Sequence, residues 1–189
     1  MSTSLSDIAI VRSGYTFRGA IQPDALGDAP VVQAKDINDA SIDLASLPRI
    51  ALKTVQAKPL TGGAVVLSAR GTFRAAAISP DRPIIASSSL YTIQIIKNVI
   101  TPEFLALYLN SPTAQTYFIQ HATGAAIKTL LIDVLRGLPI PDVPMDRQQS
   151  CVALSQNIRR QRQVLESQVA LNQTIINQLI IAASKGIHS

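Results

Sequence analysis

DRQQSCVALSQNIRRQRQVLESQVALNQTIINQLIIAAS, residues Asp146–Ser184, contains neither Pro nor Gly and is dominated by Gln, Arg, Leu, Ile and Ala. Good helix formers with no breaker among them predict one continuous helix. Alternating steps of three and four align Cys151, Leu154, Ile158, Gln161, Leu165, Gln168, Asn172, Ile175, Leu179 and Ala182 into one stripe, the heptad seam of a coiled coil. The seam has apolar ends and a polar middle, and buried Gln or Asn sets register between helices at a cost in stability. A helix of roughly 38 residues runs about 57 Å, so the stripe calls for a partner helix. The alternative is a helix folded back on its own sheet, since Val164, Val169 and Ile180 broaden the stripe. Leu154, Ile158, Leu165, Asn172, Ile175 and Leu179 are the candidate dimerisation residues, and 145–189 is read as a dimerisation and spacer helix.

Working back from that helix, Leu138-Pro139-Ile140-Pro141-Asp142-Val143-Pro144 is an extended connector, because each proline fixes its own φ and biases its predecessor away from helix. Before it, Thr101 as N-cap, Pro102 at the first helical position and Glu103 in the first turn start a helix through Phe104–Leu109. Asn110-Ser111-Pro112 breaks it, and a second helix over about 112–121 is closed off by Gly124. Leu130–Leu135 is read as a helical turn. The N-terminal part carries short β-type runs, Pro30–Ala34, Ala64–Ser68, Ala75–Ile78 and Leu90–Ile96, with Gly and Pro turns between them. Asp7–Val11 is a short apolar segment ahead of a loop, Arg12–Gly19, whose two aromatics and two arginines are flanked by glycines. The expected fold is α+β: a small mixed or antiparallel sheet with a helical pair over residues 1–144, then one long C-terminal coiled-coil helix.

At 189 residues the chain accommodates one ordinary domain plus an appendage. Hydrophobic residues make up 47%, yet no run approaches the length of a membrane helix, so a filled core and no membrane span are expected. The N-terminus lacks a basic region followed by an apolar stretch, and the single Cys151 cannot pair within the chain. The expected compartment is therefore a reducing cytoplasm. His121, His188 and Cys151 have no zinc-ligand spacing, and no G-x-S-x-G, P-loop or G-x-G-x-x-G is present. Acids such as Asp24, Asp28, Asp36 and Asp39 fall at turns rather than in catalytic pairs. The chain is read as a non-enzyme that binds no cofactor of its own and no metal.

The net charge is +5, and its distribution is uneven. No acid occurs between Asp43 and Asp81, whereas Arg49, Lys53, Lys58, Arg70 and Arg74 fall there. Such a stretch is either a solvated basic face or a surface for an acidic partner such as nucleic acid.

Leu5–Ala9, Gly14–Phe17, Gln33–Ile37, Thr61–Gly71, Ile85–Leu90, Phe104–Ser111 and Leu138–Pro141, in that order, resemble half of a Type I restriction-modification DNA specificity subunit, with one target-recognition domain and one long helix. Leu5-Ser6-Asp7-Ile8-Ala9 with Gly14-Tyr15-Thr16-Phe17 is similar to that family's opening, and Gln33-Ala34-Lys35-Asp36-Ile37 to its next strand and turn. Thr61–Gly71 resembles a segment usually written with Gly-Asp where Gly62-Gly63 stands here, which removes an acidic turn residue. Ile85–Leu90 resembles the strand before the helical pair, Phe104–Ser111 the first helix, and Leu138–Pro141 with Gln148-Gln149 the junction to the long helix. The resemblance implies a subunit that reads DNA sequence and bridges modification subunits. With one domain and one helix, the chain is expected to form a homodimer that reads an interrupted palindrome and positions a partner DNA methyltransferase. S-adenosylmethionine would then sit on the methyltransferase, and a restriction subunit is a further partner implied.

Base-reading loops vary within such a family, so the candidates come from chemistry: arginine and lysine for phosphates, arginine for guanine, hydroxyls for either. They are Arg12, Tyr15, Thr16 and Arg18 in the first Gly-flanked loop, Lys35 after the next strand, Arg70, Thr72 and Arg74 around Gly71, and Lys128 beyond Gly124. Gly71 and Phe73 suggest an exposed hairpin tip, which favours Arg74, whereas Arg70 serves equally as an internal salt-bridge partner. Tyr15 and Phe17 are expected to be half core. The competing reading is an oligomeric adaptor in a defence complex that binds no DNA.

Overall fold

Ser4 caps a helical turn near the start of the described residues: its N–H and Oγ both donate to Asp7 Oδ2 at 2.7 Å. These bonds, the hydroxyl's first, hold the Asp7 carboxyl below the usual 3.8, aided by the charge of Lys97 and opposed by desolvation. The segment expected to be one apolar run is thus a one-turn helix followed by a strand. The computed structural model describes residues 3–24, 26–38, 41–54, 56–60, 62–78 and 83–185. Thr61 of the turn motif and His188 lie outside them.

The chain forms two units, Met1–Gln149 and Ser150–Ser189. The first contains β1 (Thr3–Ser4), α1 (Leu5–Ile8), β2 (Ala9–Ser13), β3 (Ala29–Val32), β4 (Arg49–Ile50), β5 (Ala64–Ser68), β6 (Ala75–Ile78), β7 (Ile85–Ala86) and β8 (Leu90–Ile95). Helices α2 (Pro102–Leu109), α3 (Pro112–His121) and α4 (Ile132–Arg136) follow, then β9 (Pro139–Ile140) and the start of α5 (Met145–Lys185). Instead of one sheet there are three among the described residues. An antiparallel sheet runs β2-β8-β5-β6, a mixed one β4-β3-β7 has β3 parallel to β7, and β1 pairs with β9. Asp36 Oδ2 accepts the Gln33 N–H at 2.8 Å and opens a 3₁₀ turn over Ala34–Asp36, so β3 stops at Val32 rather than at Ala34. The proline strip read as a connector contributes β9, which fastens the N-terminus: Leu5 N–H donates to Leu138 O at 2.9 Å.

Strand β3 is buried on both faces. Val32 packs with Val66, Ala76, Ile84 and Leu90, while Ala29 and Val31 pack with Ile50 and Ile85. Tyr15 and Phe17, partly buried, lie against the second group, as half-core aromatics should. Helix α2 covers β5 and β6, with Leu105 and Leu109 fully buried; truncating a leucine of that kind to alanine costs about 2–5 kcal/mol. Its N-cap is Thr101, whose hydroxyl accepts the Phe104 N–H at 3.2 Å, with Pro102 behind it. Gly124 lies beyond the second helix rather than ending it: α3 stops at His121, and Ala122 is extended. Gly124 is required in the next turn, where φ is +96° and a Cβ would come within 2.4 Å of Ile127 O.

Helix α5 runs 41 residues, one residue longer at each end than Asp146–Ser184, and fills the whole stretch between Pro144 and Gly186. In its first turn Gln148 is buried at 1% exposure. Its amide donates to Val99 O and Val143 O at 2.8 Å and accepts the Thr101 N–H at 2.9 Å. In the second unit every residue from 160 to 182 is exposed, among them Leu165 at 61% and Leu179 at 64%. Along α5 itself the stripe is uncovered. No helix among the described residues is long and apolar enough to cross a membrane.

Candidate nucleic-acid interface

Three serines between β7 and β8 organise the candidate residues. Ser87 N–H donates to Val32 O at 2.8 Å, Ser88 N–H donates to Tyr15 O at 2.8 Å, and Ser89 O accepts the Ala69 N–H at 3.0 Å. Ser89 Oγ accepts the Ala34 N–H at 3.0 Å and is bonded to Ser87 Oγ at 2.7 Å. One turn thereby pins the 14–16 loop, the turn that carries Lys35, and the segment entering Arg70. A fourth segment joins through the third, since Leu130 N–H donates to Ala69 O at 3.0 Å and Gly71 N–H to Lys128 O at 2.8 Å. Gly14 permits the closest of these approaches, because a Cβ there would lie 2.1 Å from Ser87 O.

The tip between β5 and β6 is held from inside. Ser68 Oγ donates to Thr72 O and accepts the Arg74 N–H at 2.8 Å. Gly71 takes φ +74°, a left-handed conformation suited to glycine. Phe73 is not exposed, as a free hairpin tip would have it; it is 3% exposed and packs edge-to-face on Phe118 at 5.8 Å. The helical pair supports the same tip: the Asn110 amide accepts from Ala75 N–H at 3.0 Å and donates to Ala75 O at 2.8 Å, and Gln115 Nε2 donates to Phe73 O at 2.7 Å. With Phe73 anchored inward, Arg70, Thr72 and Arg74 are left exposed on a supported backbone.

Arg70, Thr72 and Lys128 are direct neighbours, linked by the Gly71–Lys128 bond and the Arg70–Thr129 bridge. Arg74 Nη1 reaches Ile37 O at 3.4 Å, beside the Lys35 turn. Tyr15, Thr16 and Lys35 join through Ser88 and Ser89, and Lys35, Thr16 and Lys128 are exposed. Arg12 stands on β2 opposite Thr92. Arg18 is exposed in the first loop, and among the described residues no hydrogen bond ties it to the serine turn. Arg70 makes no salt bridge among the described residues; its charge acts on Tyr91, whose hydroxyl donates to Leu130 O at 2.7 Å. Burial raises the Tyr91 pKa above 10.0, with Arg70 opposing and Asp133 adding to the rise. Arg49, by contrast, is structural, bonded through Nε to Gly27 O at 2.8 Å and through Nη2 to Asp28 O at 3.1 Å.

The serine run was legible only as the entry to a strand, because its role lies in pairings such as Ala34–Ser89, 55 residues apart, and the still more distant Tyr15–Ser88. Three hydroxyls between two apolar strands are the trace it leaves in sequence. The arrangement offers an exposed, predominantly cationic set of loops on a hydrogen-bonded base, which suits a polyanion with hydrogen-bonding edges. Among the described residues no group of three or more His, Cys, Asp or Glu is placed to hold a metal ion.

Residues 1–179 match the family model of the Type I restriction modification DNA specificity domain. The chain is 25% identical over 157 residues to the Type I restriction enzyme EcoBI specificity subunit of Escherichia coli, covering 80% of this chain and 33% of that protein. Its fold resembles a chain in a structure of type I R-M complex assembly and conformational transition, with TM-score 0.67, 18% identity, and coverage of 95% of this chain and 43% of that one. It also resembles the HsdS subunit from Thermoanaerobacter tengcongensis, with TM-score 0.61, 16% identity, and coverage of 88% and 38%. The chain spans less than half the length of each of these relatives. With a family match over most of its residues, the chain belongs to the Type I restriction modification DNA specificity domain family.

Proposed function

We propose that the chain is a DNA target-recognition module of a Type I restriction-modification system, without catalytic activity of its own. The observation that carries this is the convergence around the Ser87–Ser89 turn of three exposed basic segments, those of Lys35, Arg70–Arg74 and Lys128, with the 14–16 loop beside them. Arg70, Arg74, Lys35 and Lys128 supply phosphate contacts, and Arg12, Tyr15, Thr16, Arg18 and Thr72 flank them for base or further phosphate contacts. Residues 1–144 do the reading, and residues 145–189 supply the spacer.

The uncovered stripe of α5 pairs with a second copy through Leu154, Ile158, Leu165, Asn172, Ile175 and Leu179. A closed two-fold dimer buries the same stripe on both chains. Two identical readers on such a ruler select an inverted repeat interrupted by an unread spacer, since symmetry in the protein is mirrored in the site. The relatives' naming as specificity subunits supports a DNA methyltransferase partner, which would bring S-adenosylmethionine, a restriction subunit as a further partner, and a cytoplasmic location.

Co-expression with a type I modification subunit, followed by purification and sequencing of methylated sites, tests the reading. The expected result is a stable complex and an interrupted palindromic methylation motif. A complex formed without any methylation motif, insensitive to the loop residues, would favour the DNA-free adaptor instead.

A further inference from the structure

A cavity of about 500 Å³ opens beside β2, between the first Gly-flanked loop and the 56–60 segment. Its volume lies in the range of small-molecule sites. The floor follows from strand alternation: Ile10 and Arg12 on β2 share a face with their partners Gln94 and Thr92 on β8, and all four line the cavity. Tyr15 and Thr16 form one wall, and the opposite wall, Gln56–Leu60, is fixed by reciprocal bonds between Leu60 and Ile84 at 2.9 and 3.3 Å.

The lining chemistry is selective. Arg12 and Lys58 bring two cations to it, and among the described residues no carboxylate lines it. Lys58 belongs to the acid-free stretch, and unlike Arg49 it has no structural duty among the bonds described. Thr16 adds a hydroxyl, Tyr15 an aromatic ring, and Gln94 an amide whose Nε2 is already bonded to Gly62 O at 3.3 Å, leaving Oε1 to accept. Two cations, an aromatic wall and an amide acceptor within one cavity match a phosphate joined to a heteroaromatic base.

We propose that this cavity binds one nucleoside 5′-phosphate unit, with its phosphate between Arg12 and Lys58 and its base along Tyr15 and Gln94. The unit is either a free mononucleotide or an unpaired nucleotide of a DNA strand. The site borders the face proposed for duplex reading and shares Arg12, Tyr15 and Thr16 with it, whereas Gln56, Lys58 and Gln94 belong to the cavity alone.

The test is titration of the ¹⁵N-labelled chain with dAMP, dGMP, dCMP, TMP and inorganic phosphate, alongside a duplex with one unpaired nucleotide and its fully paired control. Saturable amide shifts around Arg12, Thr16 and Gln94 with a mononucleotide, at least tenfold tighter than with phosphate, are expected. Lys58→Ala should weaken mononucleotide binding about tenfold by removing a charged contact, and Lys58→Arg should restore it. Preference for the unpaired duplex over its control assigns the site to DNA strands; binding of mononucleotides alone assigns it to free nucleotide. Equal affinity for phosphate and mononucleotide, shifts located elsewhere, or binding unaffected by Lys58→Ala would overturn the proposal. Retained binding of the paired duplex in Lys58→Ala separates this outcome from failure of the DNA-reading function.

Discussion

Ser89 Oγ and the Ala34 N–H, 55 residues apart in sequence, meet at 3.0 Å. That bond joins the turn carrying Lys35 to the turn that also holds Tyr15 and Ala69. Ser89→Ala leaves the part-buried Ala34 N–H without this acceptor, at a cost of about 1–2 kcal/mol. A melting temperature lower by roughly 2–6 °C is expected, together with faster hydrogen exchange at Ala34 and Lys35. Unchanged exchange at Ala34 would show that the serine does not hold the turn.

Gln148 satisfies three backbone groups from two segments that precede α5. Gln148→Leu keeps the volume but orphans Thr101 N–H, Val99 O and Val143 O, so a loss of about 2–4 kcal/mol is expected. Denaturant titration should report it as a lower midpoint at unchanged slope. A midpoint shift below that of an ordinary surface substitution would mean that water replaces the amide.

Asp7 gives a pH dependence of defined sign. Its pKa in the fold lies below the usual 3.8 because Ser4 donates to the ionised form. The resulting stabilisation is fully present above the unfolded value and is lost as pH falls through the folded value. Ser4→Ala should bring the Asp7 pKa back up, measurable by carboxyl ¹³C titration, and should flatten the acid limb of stability. A pKa unmoved by Ser4→Ala would leave the residue-4 backbone N–H, which the variant retains, and Lys97 as its causes.

The stripe on α5 predicts association. Light scattering at micromolar concentration should return twice the 20.2 kDa chain mass, and Leu165→Asp with Ile175→Asp should return the single mass with the first unit still folded. A monomeric parent chain would contradict the proposed helix pairing.

Where pattern is local, the sequence was legible. The absence of breakers located α5 to within one residue at each end, and Thr101-Pro102 located α2, because capping is settled within one turn. The edges of β5 and β6 and the start of β8 followed from apolar runs between turns, and β8 ends one residue before its run does. The two-residue strands β1, β4, β7 and β9 left no periodicity, being defined by partners far along the chain. The candidate cations rest on chemistry alone, and their convergence has no local signal, since Ser87–Ser89 reads as polar punctuation. Phe73 was misread for the same reason: neighbouring Gly71 suggested a free tip, while Phe118 on a later helix draws the ring inside.

The central claim is that the basic segments around the serine turn bind DNA phosphates. It is tested most directly by the slope of log affinity against log salt for a duplex of arbitrary sequence, compared between the parent and Arg70→Ala/Arg74→Ala/Lys128→Ala. The account predicts that Arg74→Ala alone weakens binding about ten- to a hundredfold, and that the triple variant lowers the slope by about 2–3 units at unchanged melting temperature. An identical slope and affinity in a folded triple variant would contradict it.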